Sequence, residues 1–301
     1  MAFEVKILKK SESKQGIVLT TWQLKYPRFI HAEFMTHREF SRNASSSRAI
    51  PVRKMIEQVR LDPATPIHWG ANQPGMQADN QLDPVKLAIA KDQWHEAAWN
   101  AANVAEAMDY NGLHKQVANR VLEPFQWMHV VMSTTSLTNF FGLRCHPDAQ
   151  PEIKLLAEMM EAEYKQVDSV LLAPGEWHLP YINLIDWEEA TAFCQVGRTT
   201  RDMPSHEEVV EVLKKMSAAR CARVSYLTHE GRKPTIEADL ELFDRLVGAR
   251  PLHASPTEHQ ATPDVKVQSR IAEHVWDSPE LHGNFNGWVQ HRKLLAGEYI
   301  R

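Results

Sequence analysis

Cysteine is scarce in this sequence, with three residues among 301 and no pair in a C-x-x-C spacing. Cys145, Cys194 and Cys221 are therefore expected to form neither a disulfide framework nor a thiolate zinc site. No run of eighteen apolar residues occurs, and the first residues lack the apolar core of a signal peptide. We therefore expect a cytoplasmic protein without a membrane partner.

The motifs of several large enzyme classes are also missing. The chain has no H-E-x-x-H, no P-loop and no G-x-G-x-x-G, so neither a metal centre nor a Rossmann nucleotide site is indicated. An excess of basic residues is missing as well, since 34 Lys and Arg face 38 Asp and Glu. That balance argues against nucleic-acid binding on a broad basic face, so local basic clusters are expected to bind something small.

The apolar pattern predicts a single α+β domain over residues 1–301. Strands are predicted at residues 3–8, 16–24 and 127–135. Helices are predicted at residues 28–38, 52–60, 84–108, 113–122, 136–143, 151–170, 186–196, 205–224, 236–248 and 285–296. The Pro/Gly/Asn/Gln-rich stretch 61–82 is predicted to be a long surface loop and a candidate lid, because long loops in compact domains are often functional.

One stretch, residues 36–48, concentrates groups that bind anions. It holds three arginines, a histidine, an asparagine, four serines and a threonine. Arginine forks pair bidentately with phosphate oxygens, which suits a phosphorylated ligand. Local composition alone nevertheless favours a solvated, Ser-rich loop over a binding site.

Four further groups have both a structural and a functional interpretation. Arg120 and Arg144 are each predicted near the end of a helix, where a cation complements the helix dipole. The small-residue segment 217–226 carries two arginines, and packing explains it as well as ligand binding does. The segment 253–259 contains a Ser-Pro pair that is typical of a helix start.

The stretch 36–48 resembles the signature of flavin-dependent thymidylate synthases, R-H-R-x-x-S-x-N-E-x-S-x-R. His37, Arg38, Ser41, Asn43, Ser46 and Arg48 stand on that pattern. Thr36 replaces its first arginine and Ala44 replaces its glutamate. Residues 120–124 resemble the family's R-x-x-L-P helix end, and residues 136–144 resemble its S-L-x-N-F-x-x-L-R segment.

The order of the matching segments differs from that of the family. Residues 217–226 (S-A-A-R-C-A-R-V-S-Y) and 253–259 resemble segments that precede the signature in the family but follow it here. The chain therefore resembles a circular permutation or a duplication, with a signature half at 1–160 and a permuted or duplicated half at 205–301. A faint similarity between residues 284–293 and 29–38 favours duplication.

The resemblance implies an antiparallel sheet flanked by helices and the methylation of dUMP at C5. Methylenetetrahydrofolate and NADPH would be co-substrates and FAD the cofactor, with no cysteine nucleophile. It implies that dUMP is bound by Glu33, Ser46, Ser47, Arg48, Arg120 and Arg144, with Arg144 also catalytic. It implies that FAD is bound by His37, Arg38, Asn43, Ser133, Asn139, Ser225, His253 and Ser255. In the family these groups come from several subunits of a homotetramer.

Three alternatives remain open from the sequence. Thr36 and Ala44 are compatible with a related pyrimidine-nucleotide hydroxymethylase or with an enzyme that acts on dCMP. A non-catalytic nucleotide-binding protein would keep the same arginines. A purely structural α+β protein would carry all of them on its surface.

Overall fold

Two long strands joined by a tight turn form the centre of the sheet. In the computed structural model, which describes residues 3–78, 80–199, 202–228, 233–268 and 274–298, β1 spans Glu4–Ser13 and β2 spans Val18–Pro27. Gly16 lies in the turn with φ of +75°, a conformation that glycine adopts without steric strain. Both predicted strands are confirmed, and β1 continues further than predicted.

Three further strands complete this sheet in the described part of the chain: β3 (Ser41–Ala44), β4 (Trp127–Thr134) and β5 (Val170–Leu172). The spatial order is β3-β4-β2-β1-β5. All neighbours are antiparallel except β1 and β5, which pair in parallel at one edge. The expected α+β fold, a largely antiparallel sheet flanked by helices, is confirmed.

The helices are α1 (His31–Phe34), α2 (Val52–Leu61), α3 (Pro84–Tyr110), α4 (Lys115–Ala118), α5 (Thr138–Arg144), α6 (Pro151–Gln166), α7 (Leu184–Gln195), α8 (His206–Arg223) and α9 (Ile236–Val247). Side chains fix several helix starts: Asp83 caps α3, and Ser205 with Glu208 forms a capping box at α8. No helix among the described residues combines the length and the apolar character that crossing a membrane requires.

The predicted helix at residues 285–296 is wrong. Residues Trp288–Gln290 form a strand, β9, which pairs with β6 (Ala261–Pro263), and a short 3-10 turn follows. Trp288 is fully buried against Leu19 of β2, so tertiary packing overrides the helical pattern. Two more short strands, β7 (Lys266–Val267) and β8 (Val275–Trp276), lie in the stretch before it.

The first face of the central sheet carries the largest hydrophobic core. Trp22 and Leu24 of β2 and Met132 of β4 are fully buried there against Leu156 and Met160 of α6. Burial of such a side chain contributes about 1.5–3 kcal/mol relative to leaving it in water. This core holds α6, and with it the preceding α5, against the sheet.

The second face of the sheet carries a row of buried hydroxyl groups next to apolar side chains such as Leu19 and Val131. Ser11, Thr21 and Ser133 lie on the three adjacent strands β1, β2 and β4, and each is at most 1% exposed. His178 Nδ1 bonds to Ser11 Oγ at 2.9 Å, and His178 Nε2 bonds to Thr21 Oγ1 at 2.8 Å. Thr21 then bonds to Ser133 at 2.5 Å, and Ser133 bonds to His259 Nδ1 at 2.8 Å. The result is a continuous hydrogen-bonded chain, the polar chain, across the sheet.

Buried ion pairs join the helices of the C-terminal part. Arg220 of α8 contacts Asp186 of α7 at 3.0 Å and Asp239 of α9 at 2.9 Å. Arg223 of α8 contacts Asp239 at 2.9 Å. Both aspartates are fully buried, so losing an arginine contact would leave a buried negative charge less well compensated. These pairs fix the end of α8, from which Ser225 projects.

We expect the folded protein to lose stability in mild acid because of its buried histidines. Burial lowers the pKa of His259 to about 3. Burial and the nearby charges of Lys214 and Lys215 lower the pKa of His291 to about 3. Below about pH 6.5 these histidines become protonated in the unfolded chain, whereas in the folded protein they stay neutral. The free energy of unfolding therefore falls as pH falls.

Urea unfolding between pH 7 and pH 4 measures this dependence. Each such histidine increases the slope of the free energy of unfolding against pH by up to about 1.4 kcal/mol per pH unit. His291→Asn should therefore flatten the dependence by about that amount, whereas replacing the exposed His95 in the same way should not. An unchanged slope in His291→Asn would contradict the assignment of a neutral, buried His291.

Candidate functional site

Arg144 lies at the centre of a small polar cluster. Arg144 ends α5, and its guanidinium forms an ion pair with Glu33 of α1 through Nη1. Its Nε donates to His37 Nε2 at 3.0 Å. Two segments that lie 107 residues apart in sequence are thus joined by one side chain, and we call Glu33, His37 and Arg144 the arginine triad.

Aromatic packing fixes the position of His37. Its ring lies edge-to-face on Phe140 at 4.8 Å and stacks on Phe40 at 5.6 Å between ring centroids. Phe40 and Phe140 are both buried in the first core. The backbone there is held by Arg42, whose Nη1 donates to the carbonyl oxygen of His37 at 3.0 Å.

The charges around His37 favour its neutral form. Burial and the positive charges of Arg144 and Arg42 lower the pKa of His37 from its ordinary value of 6.5. A neutral His37 that accepts at Nε2 carries its proton on Nδ1. The imidazole therefore acts as an acceptor that orients Arg144, while Glu33 supplies the countercharge.

A cleft of about 1360 Å³ opens beside the arginine triad. Glu33 and Arg144 line one side of it, and Phe29 lines the same side from the turn before α1. The rest of its lining comes from residues within 66–78 and from residues 147–152. The predicted lid stretch thus borders the same cleft as Arg144.

The second half of the signature forms an edge strand followed by a buried turn. Ser45 and Ser47 are each less than a tenth exposed, so the alternative of a solvated loop is wrong here. Asn119 Nδ2 donates to the carbonyl oxygen of Ser47 at 2.7 Å, and the Ser46 amide donates to the carbonyl oxygen of Ser225 at 3.1 Å. This turn is therefore held in place by both halves of the chain.

The segment at 253–259 also reaches the signature. In the amide orientation that satisfies its neighbours, Asn43 donates to the carbonyl oxygen of Ser255 at 3.2 Å. Ser133 is bonded to His259 in the polar chain. The structure thus brings the signature next to Ser225, Ser255 and His259, as a shared site requires.

Other predicted site residues lie apart from these contacts. Arg38, Asn139 and His253 are exposed, and Arg120 is exposed with a 3.5 Å ion pair to Glu123. Within the described ranges, neither Arg38 nor the exposed Arg48 has a hydrogen-bond or ion-pair partner for its side chain. Unpaired guanidiniums beside a signature turn are available to a phosphorylated ligand.

Sequence reasoning assigned no role to three residues that shape the site. Arg42 lies inside the signature, and its two carbonyl contacts, to Phe34 and His37, were not foreseeable from composition. His259 is the last residue of the 253–259 motif, and its imidazole is the sequence feature that could have indicated a role for it. His178 lies outside every motif, so nothing in the sequence pointed to it.

The two departures from the signature have local structural roles. Thr36 Oγ1 donates to the carbonyl oxygen of Glu33 at 2.7 Å and so closes the end of α1. Ala44 packs against the first hydrophobic core, where a glutamate would place a charge against apolar side chains.

A protein-family model described as thymidylate synthase complementing protein matches residues 9–168. No curated protein matches the chain. Similar solved structures include a UMP/dUMP methylase, PolB, from Streptomyces cacaoi bound with 5-Br dUMP, at 16% identity and a TM-score of 0.45, over 56% of this chain and 91% of that chain. The same methylase bound with 5-Br UMP matches at 17% identity and a TM-score of 0.46, over 56% and 90%.

Replacing Arg144 by methionine is expected to raise the pKa of His37. The change removes a positive charge that disfavours the imidazolium and releases the Glu33 carboxylate, and both effects favour protonation. Titration of the His37 ring by NMR gives the result without any ligand. Arg48→Met serves as the control, because Arg48 has no contact with His37, and an unchanged His37 in Arg144→Met would contradict the triad.

Proposed function

Because this chain belongs to the thymidylate synthase complementing protein family and is thus a thymidylate synthase-type methyltransferase, we propose that it methylates dUMP at C5 to give dTMP. Methylenetetrahydrofolate supplies the carbon, NADPH supplies the reducing equivalents, and FAD is the cofactor. The observation that carries this proposal is the position of Arg144, which the arginine triad holds at the wall of a cleft of about 1360 Å³.

Arg144 is the proposed catalytic residue. A pyrimidine ring that reacts through C5 develops negative charge on its nitrogen and oxygen atoms, and a fixed guanidinium stabilises that charge without reorganising. Glu33 and His37 hold the guanidinium from the side, so its remaining N–H groups can face the ring. Glu33 is paired with the same guanidinium, and we propose that its carboxylate also contacts the base.

The phosphate and sugar of dUMP are proposed to bind at the signature turn. Ser46, Ser47 and Arg48 provide two hydroxyls and an unpaired guanidinium on one turn. Arg120 adds a second cation, because its pairing with Glu123 is loose and exposed. The contacts from Asn119 and Ser225 keep this turn in one conformation and lower the entropy lost on binding.

The residues around the signature fit a flavin dinucleotide. Arg38 has no partner among the described residues and suits the pyrophosphate, and His259 Nε2 is a buried polar atom that has no partner within that part of the chain. We propose that His37, Arg38, Asn43, Asn139, Ser225, His253 and Ser255 hold FAD. Ser133 is fully buried, so it would act by positioning His259. Bound FAD would carry the redox chemistry.

The cysteines support a mechanism without a thiolate. Burial raises the pKa of Cys221, which is fully buried, and burial also raises the pKa of Cys145 and Cys194. A thiol with a raised pKa is a poor nucleophile at neutral pH. Activation of the pyrimidine is thus assigned to electrostatics and positioning.

We propose that the order of segments reflects circular permutation. Ala261, which follows the 253–259 motif, is fully buried against Leu19 of β2 and near Ile17. The end of the displaced segment therefore lies beside the start of the strand that leads to the signature, which is where an unpermuted chain would connect them. The faint similarity at 284–293 has no matching helix.

We also propose a homotetramer that shares its sites. The long helix α3 buries little beyond three alanines and leaves Val85, Ile89 and Trp99 largely exposed. Such a face suits contact with another subunit. Light scattering of the purified protein reports whether four copies assemble.

The purified protein is expected to be yellow, to release FAD on denaturation, and to convert dUMP to dTMP. Mass spectrometry of the products from dUMP and dCMP separates methylation from hydroxymethylation and from action on dCMP. Arg144→Ala should lower kcat by about 10²–10³, as loss of a charge-stabilising donor does. Arg245→Ala, an exposed arginine on α9, is the matched control.

Rescue of a thymidine-requiring bacterium tests the same proposal in cells. Wild type and Arg245→Ala should support growth, and Arg144→Ala should not. A colourless protein without flavin would instead indicate a non-catalytic nucleotide-binding protein.

Binding stoichiometry separates permutation from duplication. A permuted chain builds one site from its two halves, so calorimetry should give one dUMP per chain. Ser225→Ala and Arg48→Ala should both weaken that single binding event. A stoichiometry of two dUMP molecules per chain would support duplication, provided that each variant abolishes one of the two binding events.

A further inference from the structure

One end of the polar chain is a nitrogen atom that has no partner. His259 Nδ1 is bonded to Ser133, but His259 Nε2 is buried and has no hydrogen-bond partner among the residues that the structure describes. The other end is Ser11, whose hydroxyl bonds to His178 Nδ1 and to no other group in the same part of the chain. The two ends are therefore different.

Both imidazoles of the polar chain are neutral. Burial, together with the charge of Lys9, lowers the pKa of His178 well below its ordinary value of 6.5. Burial alone lowers the pKa of His259 to about 3. A neutral imidazole donates through one nitrogen and accepts through the other. The tautomer of each ring therefore depends on the direction in which the hydroxyl hydrogens point.

One direction gives every hydroxyl hydrogen of the polar chain an acceptor. None of the three hydroxyls bonds to a group outside the chain among the described residues. Ser11 donates to His178 Nδ1 in this arrangement, and His178 Nε2 donates to Thr21. Thr21 in turn donates to Ser133, and Ser133 donates to His259 Nδ1. The proton of His259 then lies on Nε2.

The other tautomer of His259 leaves more polar groups unpaired. With its proton on Nδ1, His259 donates to Ser133, and the hydrogen of Ser133, Thr21 or Ser11 is then buried without an acceptor. His259 Nε2 becomes an unpaired acceptor as well. Since a buried polar group without a partner is costly, the direction that ends in His259 Nε2–H is favoured.

The unpaired N–H lies in the segment that reaches the signature. Ser133 of β4 stands opposite Ser41 of β3 in the sheet. The turn that precedes His259 carries Ser255, whose carbonyl oxygen accepts from Asn43 at 3.2 Å. His259 therefore neighbours the residues to which the proposed function assigns FAD. A fixed N–H there suits an acceptor atom, such as a carbonyl oxygen or an unprotonated ring nitrogen.

We propose that the polar chain is a positioning device, in which Ser11 and His178 hold His259 as an Nε2–H donor and a bound cofactor supplies the acceptor. The part that concerns the cofactor rests on the proposed function, whereas the direction of the polar chain does not. A donor that is oriented before binding stabilises negative charge on the group it contacts without reorganising. Ser11 and His178 are thus positioning residues that act through Thr21 and Ser133.

Nitrogen NMR of the histidine rings tests the direction without any ligand, with the His259 signals identified by their loss in His259→Gln. Wild type should show His259 protonated at Nε2. Ser11→Ala should show both tautomers in similar amounts, because each direction then leaves one donor and one acceptor unpaired. Thr21→Val should keep the Nε2–H tautomer, because Ser133 then has only His259 to donate to.

Ser13→Ala is the matched control for Ser11→Ala. Ser13 is a similarly buried serine of β1, and its hydroxyl accepts from the Ile17 amide outside the polar chain. It should keep the Nε2–H tautomer. A general loosening of the sheet would instead disturb Thr21→Val, which loses two hydrogen bonds, more than Ser11→Ala, which loses one. Wild-type His259 protonated at Nδ1, or a Ser11→Ala spectrum equal to that of wild type, overturns the inference.

Addition of FAD tests the part that concerns the cofactor. Saturating FAD should convert the mixed tautomers of Ser11→Ala into Nε2–H alone. The Kd of Ser11→Ala for FAD should be about twofold higher than that of wild type, because about half of the free molecules offer the donor. Ser13→Ala should bind FAD as wild type does.

The outcomes separate the positioning device from the proposed function. A mixture of tautomers that persists in Ser11→Ala with FAD bound overturns the part that concerns the cofactor, although the proposed function stands. A protein that binds no FAD contradicts the proposed function and that same part. The ligand-free spectra then still decide the direction of the polar chain.

Discussion

The hydroxyl groups buried on the second face of the sheet impose the strongest constraint on this molecule. Ser11, Thr21 and Ser133 stand on three adjacent strands, out of reach of water, and a buried polar group without a partner is costly. Their partners are the imidazoles of His178 and His259, both beyond the region that matches the family model. The matched region therefore depends on the rest of the chain to satisfy its own sheet.

That dependence explains why the C-terminal part lies where the signature needs it. The segment that supplies His259 also places Ser255 beside Asn43, and the buried ion pairs of α8 place Ser225 beside Ser46. On the other face of the sheet, the apolar core positions α5 and therefore also Arg144, the last residue of that helix. The two faces of one sheet thus fix different parts of one site.

Much of the fold follows from local sequence. The strand patterns at β2 and β4 and the helical patterns at α3 and α8 are short-range signals, and the elements predicted from them are confirmed. The signature showed which residues to examine, but local composition gave the wrong environment for it, because Ser45 and Ser47 are buried by partners that come from distant segments. The strand at Trp288 and the role of His178 depend entirely on such distant packing, which a periodicity cannot reveal.

The position of β3 has a consequence for association between chains. The sheet ends in β3, with four residues, and in β5, with three. A short edge offers a neighbouring molecule few backbone groups for edge-to-edge pairing, and charged side chains weaken such pairing further. Arg42 lies within β3, and Arg38 and Arg48 lie on either side of it. The same arginine-rich stretch that suits an anion therefore also makes this end of the sheet a poor surface for edge-to-edge pairing with another chain.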